Sequence, residues 1–428
     1  MELALFFGLF LLLMVIGVPL AFAMLLPSFV ILWQTGVPAT VVAQTIVDPI
    51  SSPSFLAVPF FILVAEILNA TQVSDKLFEF ARRAVGWMPG GLGHANVLGS
   101  MIFAGMSGSA IADAAGLGRI EVKAMTDSGY DMAESAAITA SSSVIGPIIP
   151  PSIPLAVYGI ISGQSIAELF LGGFIPGVVM GICLMIITGI RAKRRPDLFP
   201  VEPPTSFREL ITATRQALWA LLLPVFIIGG LMTGYFTATE AGSAGTLYAL
   251  VLAISTRTFS AKAFYRAFVI TMRSTAQVMI ILGAAMAFSW VITVSQVPQA
   301  MVAFVLSVTS NKYLILMAIG IIVLIMGCFL AGNAILVILG PMLIAVAPDL
   351  GINLLHLGVF MTIGCMIAVI TPPVGGSLFA ISTYTGLTVG QLGKACVPYL
   401  IAIIISWIIM LFVPETVTWL PGLIWKRG

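Results

Sequence analysis

Gly108-Ser109-Ala110-Ile111 lies in the middle of one apolar stretch, and about 224 residues later Gly332-Asn333-Ala334-Ile335 lies in the middle of another. Gly116 and Gly340 follow them at the same offset, and Gln72-Val73 and Gln296-Val297 precede them at it. Val144-Ile145-Gly146-Pro147 pairs with Val369-Ile370-Thr371-Pro372 one residue further on, and Ile175-Pro176 with Val397-Pro398 slightly earlier. Gly, Ala and Ile are abundant here, so a single match means little. A series of matches in order, at nearly one offset, marks an internal repeat.

The chain around these stretches has 428 residues, 60% hydrophobic and 8% charged, where soluble domains carry about 25% charged residues. With a mean hydropathy of +1.12, this composition excludes a soluble enzyme, a nucleic-acid binder and a disordered chain, and identifies an integral membrane protein. Alternating barrel-type segments are absent, so the spans are helical. At roughly 20 residues per span there is room for about eleven to thirteen crossings or hairpins. Cys183, Cys328, Cys365 and Cys396 lack metal or redox spacing and read as small core residues. The first Lys is Lys76; the start therefore lacks a basic n-region and reads as a retained first span. Trp33, Trp87, Trp290, Trp419 and Trp425 read mostly as interfacial anchors.

Basic residues cluster at Arg82-Arg83, at Arg119 and Lys123, at Arg191, Lys193, Arg194 and Arg195, and at Arg257, Lys262, Arg266 and Arg273. Positive loops stay in the cytoplasm. The apolar stretch at about 90–118 then leaves and returns on the cytoplasmic side, as a re-entrant hairpin. The stretch at 312–347, too long for one span and broken near its middle, becomes a hairpin entering from outside. The N-terminus falls outside, as do Lys426 and Arg427. The expected order is scaffold spans in 1–54 and a first repeat in 55–190 with an inward-opening hairpin at about 88–126. A Pro-rich cytoplasmic linker follows in 191–215, then scaffold spans in 216–274. A second repeat in 275–413 carries the outward-opening hairpin at about 312–347, and a tail occupies 414–428. Two short helices, Ser74–Val85 and Pro298–Ser310, read as interfacial. Oppositely oriented repeats with broken helices are the architecture of secondary transporters.

Four breaks fall at corresponding places. Two are hairpin tips, Gly105-Met106-Ser107-Gly108-Ser109 and Cys328-Phe329-Leu330-Ala331-Gly332-Asn333. Two interrupt long spans, Ser141-Ser142-Ser143-Val144-Ile145-Gly146-Pro147 and Thr371-Pro372-Pro373-Val374-Gly375-Gly376-Ser377. A broken helix leaves N–H and C=O groups without intrahelical partners, which is costly in lipid unless they line a cavity or bind something. Half-helix N-termini suit a carboxylate, and unwound carbonyls with Ser, Thr and Asn oxygens suit Na⁺. The expected site therefore holds an anionic substrate between cation sites. Asp113, one turn after the first tip, is a further candidate as an intramembrane carboxylate, although Val337 stands in its place in the second copy. Glu66 and Glu240 read as boundary residues, and His94 and His356 as satisfied histidines. No Gly-x-x-x-x-Gly-Lys-Ser/Thr segment occurs, so the energy source is an ion gradient.

These motifs resemble the large membrane subunit of tripartite ATP-independent periplasmic (TRAP) transporters over essentially the whole length, and the general look is similar to the sialic-acid members. The likeness rests on the tip from Gly105, the Ser142–Ser152 segment, Ala331-Gly332-Asn333 and Ile370–Gly375. It implies an all-α elevator of the ion-transporter superfamily, in the bacterial inner membrane, that takes up an organic carboxylate (sialic acid, another sugar acid or a C4-dicarboxylate). It also implies a small four-helix membrane subunit, a periplasmic substrate-binding protein, and two or more Na⁺ as coupling ions. Set on this sequence, substrate contacts fall to Ser107, Ser109, Ser152, Gly332, Asn333 and Pro373. Ion contacts fall to Ser107, Gly108, Ser141, Ser143, Gly146, Gly332, Thr371 and Gly375. Two rivals stand beside this reading. One is a Na⁺/carboxylate symporter that needs no binding protein. The other is an intramembrane serine protease with Ser107 as nucleophile and His356 as base.

Overall fold

The computed structural model describes residues 2–34, 36–71, 73–328, 330, 332–373 and 375–425. The matches and tip residues expected at Gln72, Phe329, Ala331 and Val374, and the external placement of Lys426 and Arg427, lie outside the described residues. Among those described, every regular element is a helix.

In chain order the first five helices are α1 (Glu2–Val15), α2 (Leu20–Gln34), α3 (Ala39–Ser51), α4 (Ala57–Asn69) and α5 (Val73–Val85). The first tip region comprises α6 (Gly91–Ser107), α7 (Ala110–Ala115) and α8 (Leu117–Asp127), and the first broken span α9 (Met132–Ser143) and α10 (Ile153–Ser162). Four long or capped helices follow, α11 (Ile166–Arg194), α12 (Phe207–Met232), α13 (Ala238–Ser255) and α14 (Ala261–Val294), then the short α15 (Val297–Val308). The second tip lies between α16 (Lys312–Gly327) and α17 (Gly332–Val346), and the second broken span is α18 (Leu354–Ala368) with α19 (Gly376–Thr385). The chain ends with α20 (Val389–Phe412) and α21 (Glu415–Ile424).

The sequence sets these limits by ordinary capping. Thr237 and Glu240 cap α13 reciprocally, with Thr237 N–H on Glu240 Oε2 at 2.8 Å and Glu240 N–H on Thr237 Oγ1 at 3.3 Å. Thr388 and Gln391 do the same for α20. Among the described residues four helices, α11, α12, α14 and α20, are long and apolar enough to cross a membrane. Two bent pairs add to these by length, 40–51 with 53–69 at 49° and α15 with α16 at 118°. The other apolar helices that come out by length and composition are shorter, 10–17 residues, and include α10, α17 and α18 beside the breaks. The basic residues Lys262, Arg266 and Arg273 lie within α14, so the expected boundary at 274/275 falls inside one continuous helix.

Small residues let the helices approach. Gly242 of α13 faces Phe60 of α4, and Gly358 of α18 faces the ring of Tyr158 on α10. One half-buried ionic node ties α9, α11 and α20 together. Arg191 binds Glu134 through both ends of its guanidinium, and Tyr399 Oη donates to Glu134 Oε2 at 3.0 Å.

The expected linker is docked rather than loose. Phe199 is buried edge-on against Tyr130 at 5.6 Å, and Arg82 on α5 holds Glu202 with two bonds of 2.9 and 2.5 Å. Burial pushes the Tyr130 phenol up to about 12. All four cysteines are free, with Cys365 and Cys396 buried.

Candidate functional site

Each break is built by a residue that ends one helix and another that starts the next. At the first tip, Gly108 closes α6 at φ +60°, and Ser109 caps α7 by accepting from Ala112 N–H at 3.3 Å. A Cβ on Gly108 would stand 2.5 Å from the Pro151 carbonyl oxygen, so this tip lies directly against the first broken span. Gly146 of that span faces Ser109 in turn, at 3.5 Å from where its Cβ would be. At the second tip, a Cβ on Gly332 would stand 2.5 Å from the carbonyl of Cys365, at the end of α18. The two broken spans carry the cis bonds Pro150–Pro151 and Pro372–Pro373.

The two halves also meet each other. Ser143 Oγ, at the end of α9, donates to Ser377 Oγ at 3.2 Å, in the first turn of α19. Tyr384 Oη on α19 donates to the Ala114 carbonyl on α7 at 2.9 Å, and the Arg119 guanidinium lies 5.3 Å above the Tyr384 ring.

Between them lies a cleft of about 140 Å³ lined by Gly108, Ser109, Pro147, Gly332, Asn333 and Gly375, with apolar neighbours such as Ile111 and Met366. A second, larger cavity of about 600 Å³ shares Ser109, Asn333 and Ile111 with it and adds Ser107. Its far wall is formed by Ile62 and Glu66 of α4 and by Ser274, Gln277 and Ile281 of α14. Six predicted residues, Ser107, Gly108, Ser109, Gly332, Asn333 and Gly375, therefore line these two connected spaces.

The remaining predicted residues lie around them. Ser141 and Ser107 are buried; the Ser107 hydroxyl has no hydrogen-bond partner among the described residues, and the Ser141 hydroxyl lies beside the Cys396 thiol. Ser152 does not line either cavity: its hydroxyl caps α10 on Leu155 N–H and donates across the break to the Pro147 carbonyl. Thr371 is turned back onto the Ile367 carbonyl at 2.8 Å, and Pro373 is exposed outside both spaces. Asp113 is 1% exposed, with the Ser100 hydroxyl beside its carboxyl, and faces the fully buried Glu121 of α8.

Sequence reasoning passed over Glu121, Gln277 and Ser274, and took Glu66 for a boundary residue. The usable signal was a polar side chain inside an otherwise apolar run, which Glu66 and Gln277 both are. The protease arrangement is absent. Ser107 Oγ touches no base, and His356 Nε2 is bonded to the Met410 carbonyl at 3.0 Å.

Residues 7–416 match the family described as the tripartite ATP-independent periplasmic transporter, DctM component. The chain is 35% identical over 96% of both chains to the sialic acid TRAP transporter large permease protein of Vibrio cholerae. It is also 35% identical, over 86% of both chains, to the C4-dicarboxylate TRAP transporter large permease protein of Pseudomonas aeruginosa. Among solved structures it has the fold of the YdaH transporter of Alcanivorax borkumensis, with a TM-score of 0.64 over 88% of both chains at 16% identity. These relatives are permeases, and no enzyme activity belongs with them.

Proposed function

From the premise that the chain belongs to the DctM-component family of TRAP transporters, as a membrane permease for solute uptake, we propose that it imports an organic carboxylate driven by Na⁺, by an elevator movement. The observation that carries this reading is the meeting of both tips and both breaks on connected cavities, with Ser109 and Asn333 lining each. In this reading the sequence-related halves form inverted repeats, and their breaks leave main-chain donors for the anion and oxygens for cations.

The buried hydroxyls of Ser107 and Ser141 fit a small hard cation, because an orphaned polar atom at that depth, as the Ser107 hydroxyl is, is costly until something binds it. Ser143, Gly108 and Gly146 complete that half. Gly332, Thr371 and Gly375 form the other, while Ser107, Ser109, Gly332 and Asn333 hold the carboxylate. Ser152 and Pro373 act through the shape of the breaks that they occupy. Asp113 is a buried neighbour of the tip. The tips and broken spans move together against α4 and α12–α14.

Na⁺ lowers the energy of whichever state binds it better, and by no more than that difference. The partners in this reading are a small four-helix subunit and a periplasmic binding protein that delivers substrate at the inner membrane. A relative's name makes sialic acid the first substrate to try.

The test is uptake into proteoliposomes holding this permease, its small subunit and its binding protein. Uptake falls to background when Na⁺ is replaced by K⁺. Unchanged uptake would refute the coupling, and full uptake without the binding protein would favour the simpler symporter.

A further inference from the structure

The 600 Å³ cavity has two chemically different walls. On the tip side stand hydroxyl and amide donors, Ser107, Ser109 and Asn333. On the α4 and α14 side stand the Glu66 carboxyl, which when ionised only accepts, and the Gln277 amide and Ser274 hydroxyl, which both accept and donate. No ion pair closes onto Glu66 among the described residues. Arg266 on α14 is near enough to act on Glu66 electrostatically, but it is exposed and outside the cavity lining. The volume is in the range of small-molecule sites, about 300–1,000 Å³.

We propose that this opposite wall selects the substrate class: Glu66 and Gln277 accept hydrogen bonds from the hydroxyl-bearing body of a monocarboxylate, and Glu66 rejects a second carboxylate. The inference rests on the reading of the cavity as the substrate site. A sugar acid anchored by its one carboxylate on Ser109 and Asn333 directs its hydroxyl donors across the space toward acceptors. A short dicarboxylate anchored in the same way directs a second anion, with no donor, toward Glu66. Like charges facing each other across a partly dry cavity cost enough to decide between ligands of similar size.

The experiment measures binding directly, which removes the selection imposed by a binding protein. The permease with its small subunit is placed in nanodiscs in Na⁺ buffer and titrated calorimetrically with N-acetylneuraminate, D-gluconate and succinate. At least one of the two hydroxylated monocarboxylates binds about tenfold or more tighter than succinate. Glu66→Gln narrows that gap about fivefold or more by improving succinate. Gln277→Ala weakens the preferred monocarboxylate about fivefold and leaves succinate unchanged.

Succinate binding as tightly as both monocarboxylates in the unmodified protein overturns the proposal, whether or not the variants fold. An unchanged ratio in a folded Glu66→Gln protein also overturns it. If none of the three probes binds with Na⁺ present, the substrate-site reading itself fails, and that result is distinct from a reversed preference.

Discussion

Gly108→Ala tests whether the first tip must lie directly on the first broken span. Two costs follow from the structure. Alanine at φ +60° adopts the left-handed region, at about 1–2 kcal/mol. Its Cβ would also stand 2.5 Å from the Pro151 carbonyl oxygen and 3.4 Å from Ile153 N, so backbone must move, at about 1–3 kcal/mol for overpacking. The total is about 2–5 kcal/mol. Gly163→Ala separates the terms. Gly163 ends α10 at φ +68° with nothing within 4 Å of the added carbon, so it carries the conformational cost alone, about 1–2 kcal/mol. Equilibrium unfolding in mixed micelles compares the two, and Na⁺-driven uptake shows the functional side. A misplacement of about 1 Å is enough to cost on the order of 100-fold where groups must converge, so Gly108→Ala loses most uptake while Gly163→Ala stays within about twofold. Equal destabilisation of the two variants, or wild-type uptake in Gly108→Ala, would refute the close approach of tip to break.

Three further outcomes are expected. Arg191→Met, which strands Glu134 among α9, α11 and α20, destabilises by about 3 kcal/mol, whereas Arg195→Met, whose partner Asp197 is 3.9 Å away and exposed, stays within about 0.5 kcal/mol; chemical unfolding of both variants checks this. Phe199→Ala empties the contact with Tyr130, costs about 3 kcal/mol and opens the linker to limited proteolysis, which leaves the parent chain intact. Fluorophosphonate probes leave Ser107 unlabelled, because no base touches its hydroxyl; mass spectrometry showing the adduct would revive the nucleophile.

Sequence made the breaks legible because backbone rules act locally. Gly108, Pro147, Pro151 and Pro372 cannot continue a helix at low cost, and the helices they interrupt end within a few residues of the expected points. Composition alone was enough for an all-helical membrane chain. The side-chain assignments within the breaks were less legible. Ser152 and Thr371 have the right type and place, yet each hydroxyl is turned to a main-chain carbonyl of its own break. Such local bonds compete with any ligand, and nothing in residue type records the outcome. The opposite wall was invisible for another reason. Glu66 and Gln277 are 211 positions apart in the numbering, on helices that α4–α14 packing brings together, and neither is among the matched positions of the repeat that guided the reading.

The contacts between the halves bear on how an ion at the first tip could act on the far edge of the substrate site. Coupling needs an element with two arrangements that both ligands bias. On the proposed reading α7 and α19 would be that element. Ile111 of α7 lines both cavities and also faces Gly376, where α19 begins. Tyr384, near the end of α19, is bonded back to α7 at Ala114, and Ser377 is bonded to Ser143 of the first broken span. A cation held by Ser107 and Ser141 would fix the ends of α6 and α9. Through Ser143 and α7 it would also fix α19, and so the Gly375 edge of the cleft. Tyr384→Phe keeps the ring and removes one bond of this chain. On the proposed reading its substrate affinity at saturating Na⁺ stays near wild type, while the Na⁺ needed for half-maximal uptake rises about fivefold, as expected for a coupling free energy of about 1 kcal/mol. Parallel loss of affinity at every Na⁺ concentration would mean that Tyr384 shapes the cleft without linking the halves.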